Sequence, residues 1–269
     1  MIDGLHFIER HAYGNSVIHR MDARVKLLVA LTAIIAIVAL PYSTMVVSLG
    51  AVLFTLFLAL WTFSGLSPLV YIKRVVFILP FGFFLIFFQI FFTNRYYDTF
   101  HPLASLPFGI TIYAESVEFA LILLVKFLVS ISFIILLSST TRMQDMLDAS
   151  RRFGLPAEFA LTLGVMIRYL FVFAGMISRI RSALASRCFD PFDRRLPYRY
   201  RLQQLGYTIG MIFVRSYEQG ERTYTSMLCR GYGSDVHAPV PKTPLSVGEI
   251  SFLAGAMIFI VGSTVVFYL

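Results

Sequence analysis

Long apolar stretches, separated by short polar connections and one long arginine-rich segment, constrain this sequence more than any other feature. A helix needs roughly 20 mostly apolar residues to cross a bilayer. Met45 to Phe63, Val75 to Phe92, Val117 to Leu137 and Ile250 to Tyr268 meet that requirement. Pro80 and Gly82 are expected to kink the second of these, and Lys126 interrupts the third. Leu27 to Leu40 is shorter and ends at Pro41-Tyr42-Ser43; with Met45 to Phe63 it reads as a tight helical hairpin whose first arm is barely long enough to cross. The expected fold is all-α: a polytopic membrane protein with about five transmembrane helices.

Composition agrees. Hydrophobic residues make up 58% of the chain and charged residues 14%, against about a quarter charged in ordinary globular domains. With 27 phenylalanines and a mean hydropathy of +0.76, the apolar surface exceeds what one soluble core of this length buries.

The loop charges orient the spans. Arg20, Arg24 and Lys26 precede the first, and Lys73 and Arg74 follow the second. Thr93 to Ser116 holds one basic residue, Arg95, whereas Ser138 to Gly248 holds fourteen arginines and Lys242. Alternating these loops across the bilayer puts the basic ones inside, the N-terminus in the cytoplasm and the C-terminus outside. Phe159 to Ile177 is apolar enough for a further span, but crossing would export the eleven basic residues from Arg179 to Lys242. It is better read as a long helix, with Arg168 in its middle, lying along the membrane face. The net charge of +8 then follows from the positive-inside rule. No zinc-finger, basic-helix or RNA-binding aromatic pattern accompanies it, and no nucleic-acid partner is expected. Met1 to Lys26 has no apolar core or cleavage site, so no signal peptide is expected.

Three regions are expected: residues 1–138 with four spans, 139–247 as a cytoplasmic region of long helices, and 248–269 as a C-terminal transmembrane helix. Thr141-Arg142-Met143-Gln144 fits a capping box opening a helix that Gly154 closes. Pro156 suits the first turn of a second helix running to about Arg187. Asp190-Pro191-Phe192-Asp193 breaks it, and Pro197 opens a third that runs to Arg230, with Gly231 and Gly233 as its stop. The two long helices each span about 30 residues, roughly 45 Å.

No phosphate-binding glycine loop, HExxH, GxSxG or carboxylate cluster is present, so no catalytic residues, metal ligands or cofactor are expected. His6, His11, His19, His101 and His237 are scattered and read as polar residues or caps. Cys188 and Cys229 form neither a disulfide framework nor a CxxC pair.

The positive signal is a matched pair of endings, Ala185-Ser186-Arg187-Cys188-Phe189 and Met227-Leu228-Cys229-Arg230-Gly231-Tyr232. Each puts a lone arginine at a helix C-terminus. The macrodipole alone would explain one such cation, but two, 43 positions apart on equally long helices, favour a shared task. A guanidinium there is a forked donor suited to a carboxylate in a partner's pocket. Gly164, Ala174 and Gly175 on one long helix, and Gly206 and Gly210 on the other, suggest a close backbone crossing. Met166, Met176, Met211 and Met227 read either as adaptable contact surface or, by preference, as core packing, and Arg215, Glu218, Glu221 and Arg222 as intrahelical ion pairs.

Several stretches carry a resemblance: His19-Arg20-Met21-Asp22-Ala23-Arg24-Val25-Lys26-Leu27; Thr140-Thr141 with Asp145 and Leu147; Gly154-Leu155-Pro156; Arg168-Tyr169; and Arg215-Ser216 through Glu221-Arg222 to Arg230-Gly231-Tyr232. In this order they resemble the T component of energy-coupling-factor (ECF) transporters, in the cobalt-importer branch of CbiQ type. The resemblance implies a non-catalytic subunit of the prokaryotic cytoplasmic (inner) membrane, surrounded by membrane lipid. It would join two cytoplasmic ABC ATPase subunits to a separate membrane subunit that captures a divalent metal ion. It also implies that Ser186, Arg187 and Cys188 form one ATPase-coupling motif and Cys229, Arg230 and Gly231 the other. The first departs from the family's Ala-Arg-Gly form by placing Cys188 where a glycine cap is usual. Nickel is the alternative ion. Two other classes stay open: the permease of a conventional ABC importer, whose loop Asp148-Ala149-Ser150 with Gly154 partly imitates, and an intramembrane enzyme, for which no nucleophile–base pair is visible.

Overall fold

The computed structural model describes residues 14, 16–43, 45–89, 102–105, 111–190, 193, 196–233 and 245–268. Their elements are α1 (Val17–Arg20), α2 (Ala23–Ala39), α3 (Met45–Ser64), α4 (Pro68–Gln89), a short antiparallel hairpin of β1 (Pro102–Ser105) and β2 (Thr111–Tyr113), α5 (Ala114–Thr140), α6 (Met143–Arg152), α7 (Ala157–Ser186), α8 (Tyr198–Cys229) and α9 (Val247–Tyr268). Apart from that hairpin the architecture is helical, as the apolar runs require.

Among the described residues five helices are long and apolar enough to cross a membrane: Met45–Ser64, Pro68–Gln89, Ala114–Thr140, Glu158–Ser186 and Val247–Tyr268. The set differs from the expected one in two members. At 17 residues, α2 is about 26 Å long, short of a hydrocarbon core of about 30 Å. In its place stands the helix through Phe159 to Ile177, which continues to Ser186. Pro68 begins α4 well before the apolar run at Val75, in the first turn, where the missing N–H is harmless. Phe92, where this span is expected to end, and Arg95 lie outside the described residues.

The chain divides into two compact units, one of residues His6–Ala160 with Leu245–Leu269, the other including Leu161–Pro244. In the first, α5 is the hub on which α2, α3 and α4 pack, and α9 lies against α2 and α3. Ile37, Leu49, Leu53, Phe57, Ile122 and Phe133 are fully buried at its centre. Two glycines set the close contacts. A Cβ at Gly50 of α3 would collide with Val125 of α5, and one at Gly82 of α4 with the Phe127 ring. The Tyr71 hydroxyl meets Ser132 Oγ at 2.8 Å and Arg74 donates to Ser139 Oγ at 2.8 Å, so α4 is pinned to α5 by polar ties as well.

Lys126 explains how α2 can be short. Its Nζ donates to the carbonyls of Val38 at 3.2 Å and Leu40 at 2.6 Å and lies 4.4 Å from the Tyr42 ring centroid. The last turn of a helix leaves its carbonyls without partners, and in an apolar layer each needs an internal donor. Lys126 supplies one from the middle of α5.

At α6 the expected capping box does not form. Arg142 occupies the N-cap position without a side-chain cap bond, while Thr141 ends α5 and its buried hydroxyl has no hydrogen-bond partner among the described residues. The helix starts one residue later than the box requires, because Thr141 is held, extended and buried, as the C-cap of α5 and Arg142 takes the N-cap place. The stop at Gly154 forms as expected, at φ +102°.

Candidate functional site

In the second unit α7 and α8 pass each other at Tyr169. Its hydroxyl lies 2.5 Å from Thr223 Oγ1 and accepts from Gln219 Nε2 at 3.5 Å. Grooves lie on both sides of this crossing. Phe173, Met176, Arg187, Met211 and Arg215 are among the residues lining one of about 690 Å³; Met166, Tyr169, Ser216 and Met227 help line another of about 360 Å³. All four methionines thus border grooves instead of filling a core, and Met166 is 54% exposed.

The proposed glycine crossing is not found here. A Cβ added at Gly164, Gly175, Gly206 or Gly210 would meet nothing within 4 Å. The reason is helical phase. From Gly210 to Gln219, which faces α7, is about two and a half turns, so the glycine points to the opposite side. That side carries Leu202, Phe213, Tyr217 and Leu228, all exposed, and no residue of α8 is buried. The charges on α8 form a loose pair, Arg222 to Glu218 at 3.9 Å.

The two helix endings share one geometry. At the end of α7 the Cys188 N–H donates to the Ala185 carbonyl at 2.9 Å and the Phe189 N–H to the Leu184 carbonyl at 3.0 Å. At the end of α8 Gly231 donates to Leu228 at 2.9 Å and Tyr232 to Met227 at 3.0 Å. Both are Schellman motifs, which close a helix through one residue of left-handed conformation. Gly231 holds that place at φ +84° and Cys188 at φ +55°. The cap survives the missing glycine, at the expense of a strained cysteine. Ser186 turns its hydroxyl back to Ser182 O at 3.0 Å. Arg187, Cys188, Cys229, Arg230 and Gly231 are all exposed, and no described residue offers either guanidinium an ion pair.

A second polar assembly, in the first unit, gathers the residues that open the chain's first apolar run. The Asp22 carboxylate caps α2 through Arg24 N at 2.9 Å and pairs with the Arg24 guanidinium at 2.7 Å. Burial works to raise this carboxyl, but the bonds and charge of Arg24 outweigh it and hold it below its ordinary range. Glu249 bridges two helix starts: one oxygen accepts from Asp22 N at 2.7 Å, the other from Ser246 N at 2.9 Å. Lys26, just before the apolar stretch, donates to the Thr140 carbonyl at 2.9 Å. Burial lowers its pKa to about 8, against the opposing charges of Asp145, Asp22 and Glu249. The role of Glu249 was missed, although Ser246-Val247-Gly248-Glu249 has the spacing of a capping box. His19 is hydrogen-bonded to Ser16, 2.6 Å from its Oγ; His6, His11, His101 and His237 lie outside the described residues. Among the described residues no group of three His, Cys, Asp or Glu side chains is placed to hold a metal ion.

Residues 14–239 match the CbiQ family, described as cobalt transport protein. An uncharacterized protein of Methanocaldococcus jannaschii is 23% identical over 254 residues, covering 94% of this chain and 83% of the relative. A second uncharacterized protein of that organism is 25% identical over 154 residues, 57% of this chain and 56% of the relative. With a match across most of its length and five helices of membrane-spanning character, this multi-pass membrane protein belongs to the CbiQ family of cobalt transport proteins.

Proposed function

We propose that the chain is the energy-coupling T component of an ECF-type importer for cobalt ions. It binds two cytoplasmic ABC ATPases and passes their motion to a separate substrate-capturing membrane subunit, with no catalysis of its own. The observation that carries this reading is the pair of helix ends with the same capping hydrogen bonds, each presenting one exposed arginine beside a Schellman turn. Two equal ends suit two equal partners. The outward aromatic face of α8, opened by Gly206 and Gly210, is surface of the kind a further membrane subunit would cover.

We place the protein in the inner membrane with its N-terminus in the cytoplasm, because the arginine-rich segment then stays inside. The α7–α8 pairing supports reading α7 as lying at the membrane face. Tyr169, in the middle of α7, is bonded to a stretch of α8 that carries Glu218, Glu221 and Arg222, so a spanning α7 would take these charges into the bilayer.

The test is affinity purification of the tagged chain from its own cells, with cobalt uptake measured alongside. Recovery of two ATPases and a separate membrane subunit is expected. The double variant Arg187→Ala/Arg230→Ala is expected to lose both ATPases; full retention with wild-type uptake would refute the assignment.

A further inference from the structure

We propose that the groove between the C-terminal half of α7 and the middle of α8 holds an anionic phospholipid of the cytoplasmic leaflet. The groove has a volume of about 690 Å³, the size of sites that take up small organic ligands. Its charged lining is mostly basic: Arg179, Arg215 and Arg222, with the helix-end Arg187 at one end of the groove, against Glu218, 3.9 Å from Arg222, as the one acidic residue. Its apolar lining includes Phe173, Met176, Ile180, Leu184 and Met211.

The two chemistries come from one helical register. On α7 the lining positions 172, 173, 176, 179, 180, 183, 184 and 187 recur at three- and four-residue steps, so arginines and aliphatic side chains share a single stripe. On α8 positions 208, 211, 215, 218, 219 and 222 do the same. A free phosphate would satisfy the guanidinium forks and leave the apolar lining in water. An aliphatic ligand without charge would leave the arginines facing each other. A molecule with a phosphate head and hydrocarbon tail answers both, because arginine binds phosphate through paired N–H groups and the tail covers the apolar lining. The apolar length of Glu158–Ser186, enough to meet a bilayer, would bring one wall of the groove to the lipid. Basic pockets on the cytoplasmic side of membrane helices bind anionic headgroups for the same reason. An acidic segment of a partner protein would meet the arginines too, but would bring backbone polar groups against the apolar lining.

The experiment uses the full-length chain alone, delipidated in a neutral detergent, so its outcome is independent of whether ATPases dock. Phosphatidylglycerol, phosphatidylcholine and inorganic phosphate are titrated separately, and bound species are read by native mass spectrometry. Phosphatidylglycerol is expected to bind at least about ten-fold more tightly than phosphatidylcholine. Arg215→Gln/Arg222→Gln is expected to remove that preference, while the control Arg151→Gln/Arg199→Gln, with the same loss of charge outside the groove, retains it. Circular dichroism confirms that each variant is folded. Equal binding of the two lipids, or a preference that survives the groove variant, overturns the proposal. So does competition by inorganic phosphate, which would mark a free-anion site. Displacement of bound phosphatidylglycerol from the isolated chain by an acidic peptide would assign the groove to an acidic protein segment, and also overturns it.

Discussion

Lys126 Nζ lies 2.6 Å from the carbonyl oxygen of Leu40, a link between the middle of α5 and the end of α2 that lets a helix of 17 residues stop inside an apolar environment. Removing the amine leaves the carbonyls of Val38 and Leu40 without their donor. Lys126→Leu is expected to destabilise the protein by about 2–3 kcal/mol, the range for buried hydrogen bonds to a charged group. Denaturant titration in detergent measures this. A leucine variant as stable as wild type would show that water, not Lys126, satisfies the helix end.

Lys26 adds a pH dependence of its own. Its pKa falls from an ordinary 10.5 to about 8, so between these values the unfolded chain binds more protons than the folded one. Stability contributed by this group therefore rises with pH across the window and is constant below it. Wild type measured against Lys26→Met should gain thermal stability from about pH 8 toward pH 10, a comparison in which tyrosine and cysteine titration cancels. A flat or falling difference would contradict the partial burial of the amine beside Thr140.

The spans were legible because hydropathy is a local property of the chain, and the ends of the long helices because Pro156, Pro197 and Gly231 act within a turn. What the sequence did not carry was partnership. A GxxxG pair such as Gly206 and Gly210 specifies a face, not the helix that meets it, and the phase relative to Gln219 sends that face away from α7. Gly50 and Gly82, which do make close contacts, have no such spacing to mark them. The Thr141 box failed for a related reason: the residue serves as the C-cap of the preceding helix, a tertiary placement that the local pattern does not reveal. Glu249, 227 positions from Asp22, could be assigned its own cap by spacing but not its second bond.

The glycines separate in an engineering test. Leucine at Gly206 or Gly210 is expected to leave the Tyr169–Thr223 crossing intact, since the space beside each is open. Leucine at Gly82 meets Phe127 and should cost about 1–3 kcal/mol by overpacking. Thermal unfolding and amide exchange at the crossing distinguish the two; equal damage at Gly206 and Gly82 would show that the α8 face is already occupied within the isolated chain.

At the end of α7 a cysteine holds a left-handed turn that glycine adopts freely, at φ +55°. Relief of a strained non-glycine residue there is worth about 1 kcal/mol. Cys188→Gly should slow exchange of the Phe189 amide, which is bonded to the Leu184 carbonyl, and Gly231→Cys should speed exchange of the Tyr232 amide. An unchanged Phe189 rate would mean that the turn is held by its surroundings instead of by its own backbone preference.

The arginines at these endings distinguish docking from simple helix-end stabilisation. If each guanidinium is clamped by a carboxylate in a partner's groove, lysine should rescue poorly, because it keeps the charge and loses the fork. Removing one arginine from a buried charged pair should cost about 2–5 kcal/mol of binding. If the arginines serve only the macrodipole, lysine should be nearly equivalent and alanine should cost about 0.3–1 kcal/mol of local helix stability. The neighbouring thiols give a direct readout, since Cys188 and Cys229 are both exposed in the isolated chain. Assembly with the ATPases is expected to shield both from a maleimide. The double lysine variant should leave them as reactive as in the free chain, with ATPases absent from the purified complex. Wild-type shielding and uptake in that variant would reduce both arginines to helix caps.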